Sequence, residues 1–270
     1  MEIQVKNKPN TLNKPVNYKL EHGIATITLT NPEKRNPISL LLIKSMQEIF
    51  NEIAEDKKVK VVIIESQGPV FSAGHDLNEV KLYRKQSEKL LDLFKACSKM
   101  MTSIVKLPKP VIAKVDGLAA AAGCQLVASC DLVYASNVSS FLTPGVNIGL
   151  FCSTPMVALS RAVSRKHSME MLLTGETIDS NTAYRFGLVN RIFDSIELDK
   201  KVREIAINIC QKSPLVLAIG KEAFYKQIDM SLDDAYTYTS EVMIKNMQTL
   251  DASEGIEAFV EKRKPKWQGK

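Results

Sequence analysis

The chain lacks a hydrophobic run long enough to cross a membrane, and its cysteines lack the paired spacing of a disulfide framework. Of its 270 residues 45% are hydrophobic, yet no apolar stretch approaches the roughly 20 residues of a transmembrane helix. An odd number of unpaired cysteines favours reduced thiols in a reducing compartment. The three histidines are far apart in the sequence, so no metal site is predicted. The five cysteines are Cys97, Cys124, Cys130, Cys152 and Cys210.

The amino-terminal segment lacks the marks of a targeting signal. Met1–Lys19 has no continuous apolar stretch, so no secretory signal is expected. It is also poor in Arg and Ser, which argues against a mitochondrial presequence, although a processed form stays open. We therefore expect either a bacterial cytoplasmic protein or one of the mitochondrial matrix.

Basic blocks interleaved with aromatic residues are also missing, so no nucleic-acid partner is predicted. The formal net charge is +6. The simpler interpretation of this charge is a solubilising surface. The alternative is a basic rim that attracts an anionic ligand such as a nucleotide phosphate.

Apolar runs and turn residues predict an α/β fold. A hairpin is expected to turn at Gly23, and Ser39 is expected to cap a helix with Ile43, Met46, Phe50 and Ile53 on its buried face. Short apolar runs at 59–64 and 111–115 are typical of covered strands. A long helix is predicted over 82–106. These patterns divide the chain into a flexible extension (1–15), an α/β core (16–194) and a helical carboxyl-terminal region (195–270).

Two short segments are built to let a ligand approach the backbone. They are Phe71-Ser-Ala-Gly-His-Asp-Leu77 and Asp116-Gly-Leu-Ala-Ala-Ala-Ala-Gly-Cys-Gln-Leu126. Each follows a strand-like run, leads into a helix-like run and consists largely of small residues. Two such turns can direct backbone N–H groups at one carbonyl oxygen, which is an oxyanion hole.

Several motifs resemble the enoyl-CoA hydratase/isomerase (crotonase) superfamily in order and spacing, from about Tyr18 to Trp267. They are Asn31-Pro-Glu-Lys-Arg-Asn36, the two segments above, Cys130-Asp-Leu-Val-Tyr-Ala135, Leu173-Thr-Gly-Glu176 and Ala258-Phe-Val-Glu-Lys-Arg263. The segment Pro144–Pro155 is similar to one branch of that family. The resemblance implies a crotonase-like spiral of ββα units with a carboxyl-terminal helical region that builds homotrimers or dimers of trimers.

The resemblance also implies a lyase or isomerase of fatty-acid or acyl-CoA metabolism. The partner would be an acyl-CoA thioester, with coenzyme A as part of the substrate and no other cofactor or metal. The N–H groups of His75 and Ala122 would form the oxyanion hole. Ala73 and Leu77 would line the path of the adenine and pantetheine groups. Lys34 and Lys262, the latter from a neighbouring subunit, would contact phosphate groups, unless both are simply solvated surface charges.

The chain departs from the family at the two glutamates that hydratases use, because Gln125 and Gly145 stand in their places. Hydration needs a base that takes a proton from water and an acid that gives one to carbon. An amide does not titrate near neutral pH, and glycine has no side chain. Isomerisation also needs a carboxylate near the same place. We therefore expect little hydratase activity.

Other side chains near these positions leave alternatives open. The His75 imidazole could titrate, although packing with only its N–H used is preferred. Asp76 is expected to cap a helix. Cys152 could be a nucleophile if its pKa were lowered, but a buried inert thiol is preferred. Cys152 and Ser153 are expected where the end of the acyl group reaches. Gln125 could position water or a polar group of the substrate, and Asn147 is an alternative polar contact.

Several functions remain open from the sequence. An oxyanion hole without a base could support decarboxylation of a malonyl-type CoA. Carbon dioxide leaves, and the electrons of the broken bond form the enolate, so no base has to remove a proton. Decarboxylases of the family resemble the chain at 72–76, but Cys152 stands where they place a tyrosine. Thioester hydrolysis is another option. A non-catalytic acyl-CoA binding protein and a structural trimer without a ligand complete the set.

Overall fold

The computed structural model describes residues 15–270, so the predicted extension lies outside the described residues except for Pro15. The strands are β1 (Val16–Glu21), β2 (Ile24–Leu29), β3 (Val61–Ser66), β4 (Val70–Ser72), β5 (Val111–Val115), β6 (Leu118–Ala120), β7 (Leu132–Ser136), β8 (Ser140–Leu142), β9 (Ile178–Asp179) and β10 (Arg191–Phe193). The helices are α1 (Leu40–Glu55), α2 (Leu77–Tyr83), α3 (Ser87–Lys106), α4 (Ala122–Ala128), α5 (Pro155–Ala162), α6 (Arg165–Thr174), α7 (Ser180–Phe186), α8 (Ser195–Cys210), α9 (Pro214–Gln227), α10 (Leu232–Met247) and α11 (Leu250–Val260).

The strands form two sheets, which the chain visits alternately from β3 to β8. The larger sheet has the order β1-β2-β3-β5-β7-β10, and the smaller one has the order β4-β6-β8-β9. Neighbours β3, β5 and β7 are parallel, and so are β4, β6 and β8. From β3 to β8, each ββα unit therefore gives one strand to each sheet before its helix returns the chain. This winding confirms the predicted spiral of ββα units.

The amino-terminal hairpin and the first helix follow the sequence prediction. Gly23 turns the hairpin with φ +84°, and β1 pairs antiparallel with β2. The hydroxyl of Ser39 accepts the Leu42 N–H at 3.3 Å and caps α1. The predicted apolar face of α1 is buried, with Leu42 in addition. Burial of that face against β1 and α3 fixes the helix on the core.

The prediction of one helix over 82–106 is wrong, because α2 and α3 are separate. Gln86, immediately before α3, has the non-helical angles φ −124° and ψ 78°. The segment 84–86 is exposed, and the first buried residue of α3 is Leu93. Residues 84–86 are Arg, Lys and Gln and bring no apolar side chain to the core, so burial does not hold them in a continuous helix.

Helices α8 to α11 follow β10. Helix α8 packs Leu198, Val202 and Ala206 onto the larger sheet. None of the α10 residues is buried, and it exposes Tyr236, Met243, Ile244 and Met247. In the part of the chain that the structure describes, no helix is both long and apolar enough to cross a bilayer.

A buried ion pair ties α9 to the core. Lys221 Nζ lies 2.7 Å from Asp131 and donates to the Ile104 and Lys109 carbonyls at 2.9 and 3.0 Å. Tyr225 donates to the other Asp131 oxygen at 2.9 Å. Burial lowers the pKa of Lys221, while Asp131 opposes that shift. All three ammonium protons have acceptors, so the charge is compensated where it is buried.

Candidate functional site

The first loop, residues 72–76 after β4, is held by hydrogen bonds to residues 35–38. The Ala73 N–H donates to the Arg35 carbonyl at 2.9 Å, and the Ile38 N–H donates to the Gly74 carbonyl at 2.8 Å. The Ser72 hydroxyl adds a bond to the Asn36 carbonyl at 2.8 Å. These bonds fix the backbone on either side of His75.

Asn36 is the buried residue that organises this loop, and the sequence analysis named it only as the last residue of a motif, without a role. Its Nδ2 donates to the carbonyls of Gln67 and Val70 at 2.9 and 2.8 Å, and its Oδ1 accepts the Asn31 N–H at 2.8 Å. Its φ of 49° is left-handed, a conformation that asparagine tolerates better than most residues. An asparagine after a turn sequence was the available signal.

The second loop joins β6 to α4 through a strained residue. Ala121 has φ 49° and ψ −117°, which is uncommon for a residue with a Cβ. Its N–H donates to the Leu142 carbonyl at 3.0 Å, at the end of β8. This bond holds the turn in its unusual conformation, so that Ala122 begins α4 directly beside the first loop. Such strain is concentrated at functional sites.

The two loops are in contact through glycines that have no space for a side chain. Gly74 has φ +91°, and a Cβ there would lie 2.8 Å from the Ala121 Cβ and 3.2 Å from the Ala122 nitrogen. A Cβ on Gly123 would lie 2.5 Å from the Ser72 carbonyl oxygen. The predicted pair of small-residue segments is therefore brought together at backbone distance.

This contact leaves two backbone donors without protein acceptors. Within residues 15–270, neither the His75 N–H nor the Ala122 N–H donates a hydrogen bond to a protein group. One N–H belongs to each loop, and Ala122 is the first residue of α4. Two such donors can stabilise negative charge on a carbonyl oxygen bound between the loops.

His75 is half-buried, and its imidazole bonds the backbone through Nδ1. Its Nδ1 lies 3.0 Å from the Ile38 carbonyl, which requires the proton on Nδ1 and leaves Nε2 as an acceptor. Nε2 is buried without a partner, and the ring packs edge-on against Phe94 with centroids 5.5 Å apart. Burial lowers the pKa of His75, while the Ile38 carbonyl and the charge of Glu79 oppose that shift.

The carboxylates beside the first loop already have partners. One Asp76 oxygen accepts the Asn78 N–H at 2.9 Å and caps α2, as predicted. Glu79, whose charge acts on His75, accepts the Leu40 N–H at 2.9 Å. Both residues therefore stabilise helix starts.

Gln125 lies in the first turn of α4 and is only 4% exposed. Its Oε1 is buried without a partner, which is costly for a polar atom unless a ligand or water satisfies it. Gln125 also lines a cavity of about 700 Å³ between α3, α4, α5 and α9. His75 and Ala122 do not line that cavity, so its bulk is separate from the two donors.

Gly145 stands in a tight turn, Pro144–Ile148, where no side chain fits. A Cβ there would lie 2.8 Å from the Leu150 carbonyl oxygen and 2.9 Å from Cys152 Sγ. Cys152 is 8% exposed. Burial raises the pKa of Cys152, and the backbone of Gly145 only partly opposes that shift. A protonated thiol is a weak nucleophile, so the geometry favours the inert interpretation.

The residues expected to contact coenzyme A are accessible. Lys34, Ala73 and Leu77 are exposed, and Lys34 is next to Arg35, which bonds the first loop. Lys262 is exposed just after α11. Its role in a neighbouring subunit stays a prediction, since the structure contains one chain.

The remaining polar candidates are engaged locally. Asn147 donates to the Gly175 carbonyl at 3.4 Å, and the Ser153 hydroxyl donates to the Phe151 carbonyl at 3.3 Å. Among the described residues, no group of three or more His, Cys, Asp or Glu side chains could hold a metal ion.

Comparisons with known proteins match this fold along nearly its whole length. The family model for enoyl-CoA hydratase/isomerase matches residues 19–270. The mitochondrial enoyl-CoA hydratase domain-containing protein 3 of Xenopus laevis is 50% identical over 92% of this chain and 84% of its own length. This identity confirms the branch of the family to which the segment Pro144–Pro155 is similar.

Solved structures agree with the sequence relatives. The crystal structure of human enoyl-CoA hydratase domain-containing protein 3 is 48% identical, covers 94% of this chain and all of its own, and has a TM-score of 0.91. An enoyl-CoA hydratase of Mycobacterium smegmatis is 42% identical, covers 94% and 98%, and also has a TM-score of 0.91. By its spiral fold and by the family match over residues 19–270, the chain belongs to the enoyl-CoA hydratase/isomerase family.

Proposed function

We propose that this protein binds an acyl-CoA thioester with its carbonyl oxygen between the N–H groups of His75 and Ala122, and that it does not carry out ordinary hydration. The observation that carries the proposal is the contact of the two loops, which leaves one unused donor on each. Donors preorganised in this way stabilise an enolate more strongly than a neutral carbonyl.

The side chains of the site support the second part of the proposal, that the protein does not carry out ordinary hydration. Gln125 is neutral, Gly145 has no space for a side chain, and the His75 Nδ1 proton is committed to the Ile38 carbonyl. Each missing general acid or base typically costs about 10²–10⁴-fold in rate. Hydration of an enoyl-CoA is therefore expected to be slow by at least about 10⁴-fold relative to an enzyme with both groups.

Decarboxylation of a malonyl-type CoA is the catalytic alternative that needs no base. The bond between the α-carbon and the carboxylate breaks, carbon dioxide leaves, and the electron pair forms an enolate at the two N–H groups. Water then supplies the proton to the α-carbon. Thioester hydrolysis is less well supported, because it needs an activated water and Cys152 is a protonated thiol.

Coenzyme A enters as part of the ligand, and we propose no other cofactor. We propose a homotrimer or a dimer of trimers built by the region 195–270, because α10 exposes apolar side chains along its length. A mitochondrial matrix location is proposed from the names of the relatives, with the cytoplasm as the counterpart in a bacterium.

The test combines calorimetry with a panel of crotonyl-, butyryl- and malonyl-CoA. We expect butyryl-CoA to bind, and at about 100 times its Kd to stabilise the fold by about 2.7 kcal/mol. Crotonyl-CoA should bind with little turnover. Release of carbon dioxide from malonyl-CoA would identify the decarboxylase, and binding without it the non-catalytic binder. Rapid crotonyl-CoA hydration, or no binding of any thioester, would contradict the proposal.

A comparison of two lysine variants distinguishes a specific phosphate contact at Lys34 from an effect of general surface charge. Lys34→Ala should weaken butyryl-CoA binding, whereas Lys58→Ala, at another exposed lysine, should not. Equal loss in both variants would show that Lys34 acts only through net charge.

A further inference from the structure

Helix α2 leads directly away from the first loop and has no buried residue. It begins at Leu77, immediately after Asp76, whose carboxylate caps the helix. The Glu79 carboxylate joins the same helix to the start of α1, because it accepts the Leu40 N–H at 2.9 Å. Helix α2 is therefore an exposed element that is held in place beside the His75 N–H.

One face of α2 is basic. Helical positions four and seven residues apart lie on the same face, and Arg84 keeps helical angles after the last residue of α2. Leu77, Lys81 and Arg84 therefore share one face, all three are exposed, and exposed Lys85 follows. We call Lys81, Arg84 and Lys85 the α2 basic patch. Within residues 15–270, none of these three cations forms an ion pair with a carboxylate.

Further cations lie at the other end of the first loop. Lys34 and Arg35 are exposed, and the Arg35 carbonyl accepts the Ala73 N–H at 2.9 Å. The segments 31–36 and 77–89 together hold six Lys or Arg residues against three Glu residues. The surface around the first loop therefore carries net positive charge.

We propose that the α2 basic patch docks a small acidic protein that carries the acyl group on a phosphopantetheine arm. The proposal rests on the proposed function, which places the thioester carbonyl between the N–H groups of His75 and Ala122. Pantetheine is the arm that coenzyme A and such carrier proteins have in common. The two loops can therefore receive the same thioester from either source.

Two observations favour a protein over the phosphates of coenzyme A as the partner of the patch. Cations flank both ends of the first loop and continue along α2, whose seven residues span about 10 Å. Leu77 and Leu82 are 59% and 68% exposed, and a phosphate group makes no use of such apolar side chains. On a protein surface, opposite charge steers the encounter and apolar side chains add contact area.

The same surface does not fit a lipid bilayer. Leu77 and Leu82 project about 140° apart around the axis of a helix, so α2 has no continuous apolar stripe. A helix that lies in a membrane interface buries such a stripe among the lipids. We therefore treat binding to anionic vesicles as a competing outcome of the experiment.

The test compares one butyryl thioester on three supports, which are coenzyme A, pantetheine and an acidic acyl carrier protein. Calorimetry at low salt, where exposed charges are screened least, gives the three dissociation constants. Ion pairs worth up to about fivefold each should make the wild type bind the butyryl-carrier about tenfold more tightly than butyryl-pantetheine. Lys81→Ala/Arg84→Ala should lose most of this carrier advantage and keep its affinity for butyryl-CoA.

Lys57→Ala/Lys58→Ala is the matched control. It also removes two exposed cations, from the turn before β3, and it should keep the carrier advantage. Sedimentation with vesicles of phosphatidylserine and phosphatidylcholine measures lipid binding by the same proteins. Because all four side chains are exposed, we expect every variant to fold as the wild type does.

The outcomes separate this proposal from the proposed function. Loss of the carrier advantage in Lys81→Ala/Arg84→Ala alone supports the proposal. An equal loss of butyryl-CoA affinity, or an equal loss in the control, overturns it in favour of phosphate binding or of net charge. A wild type without the carrier advantage, or vesicle binding that the double variant loses while the advantage persists, also overturns it. In all these cases butyryl-CoA still binds to the wild type, whereas failure to bind any of the three thioesters overturns the proposed function as well.

Discussion

The two halves of the candidate site differ in what holds them. The donor half consists of backbone that is fixed by close contact, with Gly74 against Ala121 and Gly123 against Ser72. The neutral half consists of Gln125 and the turn at Gly145, which carry no group that can transfer a proton. In the proposed function, the backbone geometry that binds a carbonyl oxygen is present without groups that move protons around it.

The largest effect is expected from Gly74→Ala, which acts on the donor half. The new Cβ would lie 2.8 Å from the Ala121 Cβ, at a residue with φ +91°. Overpacking and the left-handed backbone together should lower the free energy of unfolding by about 4 kcal/mol. Urea unfolding measures this loss, and stabilisation by butyryl-CoA should disappear with it.

Gly23→Ala is the matched control for Gly74→Ala. Its φ of +84° is similar, but a Cβ there would meet only the Lys60 side chain at 3.4 Å. The strain of the backbone alone should cost about 1 kcal/mol and leave binding intact. Equal losses at the two glycines would show that the loops are not in close contact.

The second prediction concerns the neutral half. Gln125→Glu places a carboxyl group in a buried position, where burial raises its pKa. Uncompensated charge should then cost about 3 kcal/mol of unfolding free energy at pH 8. Because the folded pKa lies above the unfolded value of about 4.3, this cost is small near pH 4 and grows as the pH rises. Denaturant unfolding at pH 5 and pH 8 checks the sign.

Gln67→Glu provides the comparison for Gln125→Glu. Gln67 is exposed, so the same chemical change should leave the unfolding free energy within about 0.5 kcal/mol. Crotonyl-CoA hydration by Gln125→Glu should rise by no more than about 10⁴-fold and stay below that of an enzyme with both groups, since one acid–base group is still missing. Full hydratase activity in that variant would show that Gly145 is not the second obstacle.

The sequence predicted the donor half better than the neutral half, and the reason is local structure. Small residues after strands at 72–76 and 116–123 indicate a close backbone approach without any knowledge of the rest of the chain. The ββα order, the Ser39 cap and the apolar face of α1 are local patterns too. By contrast, the space at Gly145 is closed by Leu150 and Cys152, and only the path of the turn reveals that.

The sequence also missed features that depend on distant partners. Asn36 organises the first loop through Gln67 and Val70, more than 30 residues away. The break between α2 and α3 depends on which residues contact the core. Helix propensity in the sequence does not reveal that break, because the charged residues there are themselves good helix formers.

The third prediction uses a double-mutant cycle in the turn. Gly145→Ala should cost about 2 kcal/mol, because the new Cβ meets the Leu150 carbonyl and the Cys152 thiol. Adding Cys152→Ala removes only the contact with the thiol. The two changes should therefore couple by about 1 kcal/mol in the favourable direction. Strict additivity in urea unfolding would contradict the contact between residues 145 and 152.

The smallest effect is expected from His75→Gln, and it lies in the pH dependence. Burial lowers the pKa of His75 in the folded chain. As the pH falls below the unfolded value of about 6.5, the unfolded state binds a proton that the folded state does not, so stability falls. A glutamine amide can still donate to the Ile38 carbonyl but does not titrate. Unfolding free energy between pH 7.5 and pH 5.5 should therefore fall less steeply in His75→Gln than in the wild type. His22→Gln, at the exposed hairpin turn, controls for the loss of a histidine. Parallel curves for His75→Gln and the wild type would contradict the lowered pKa of His75.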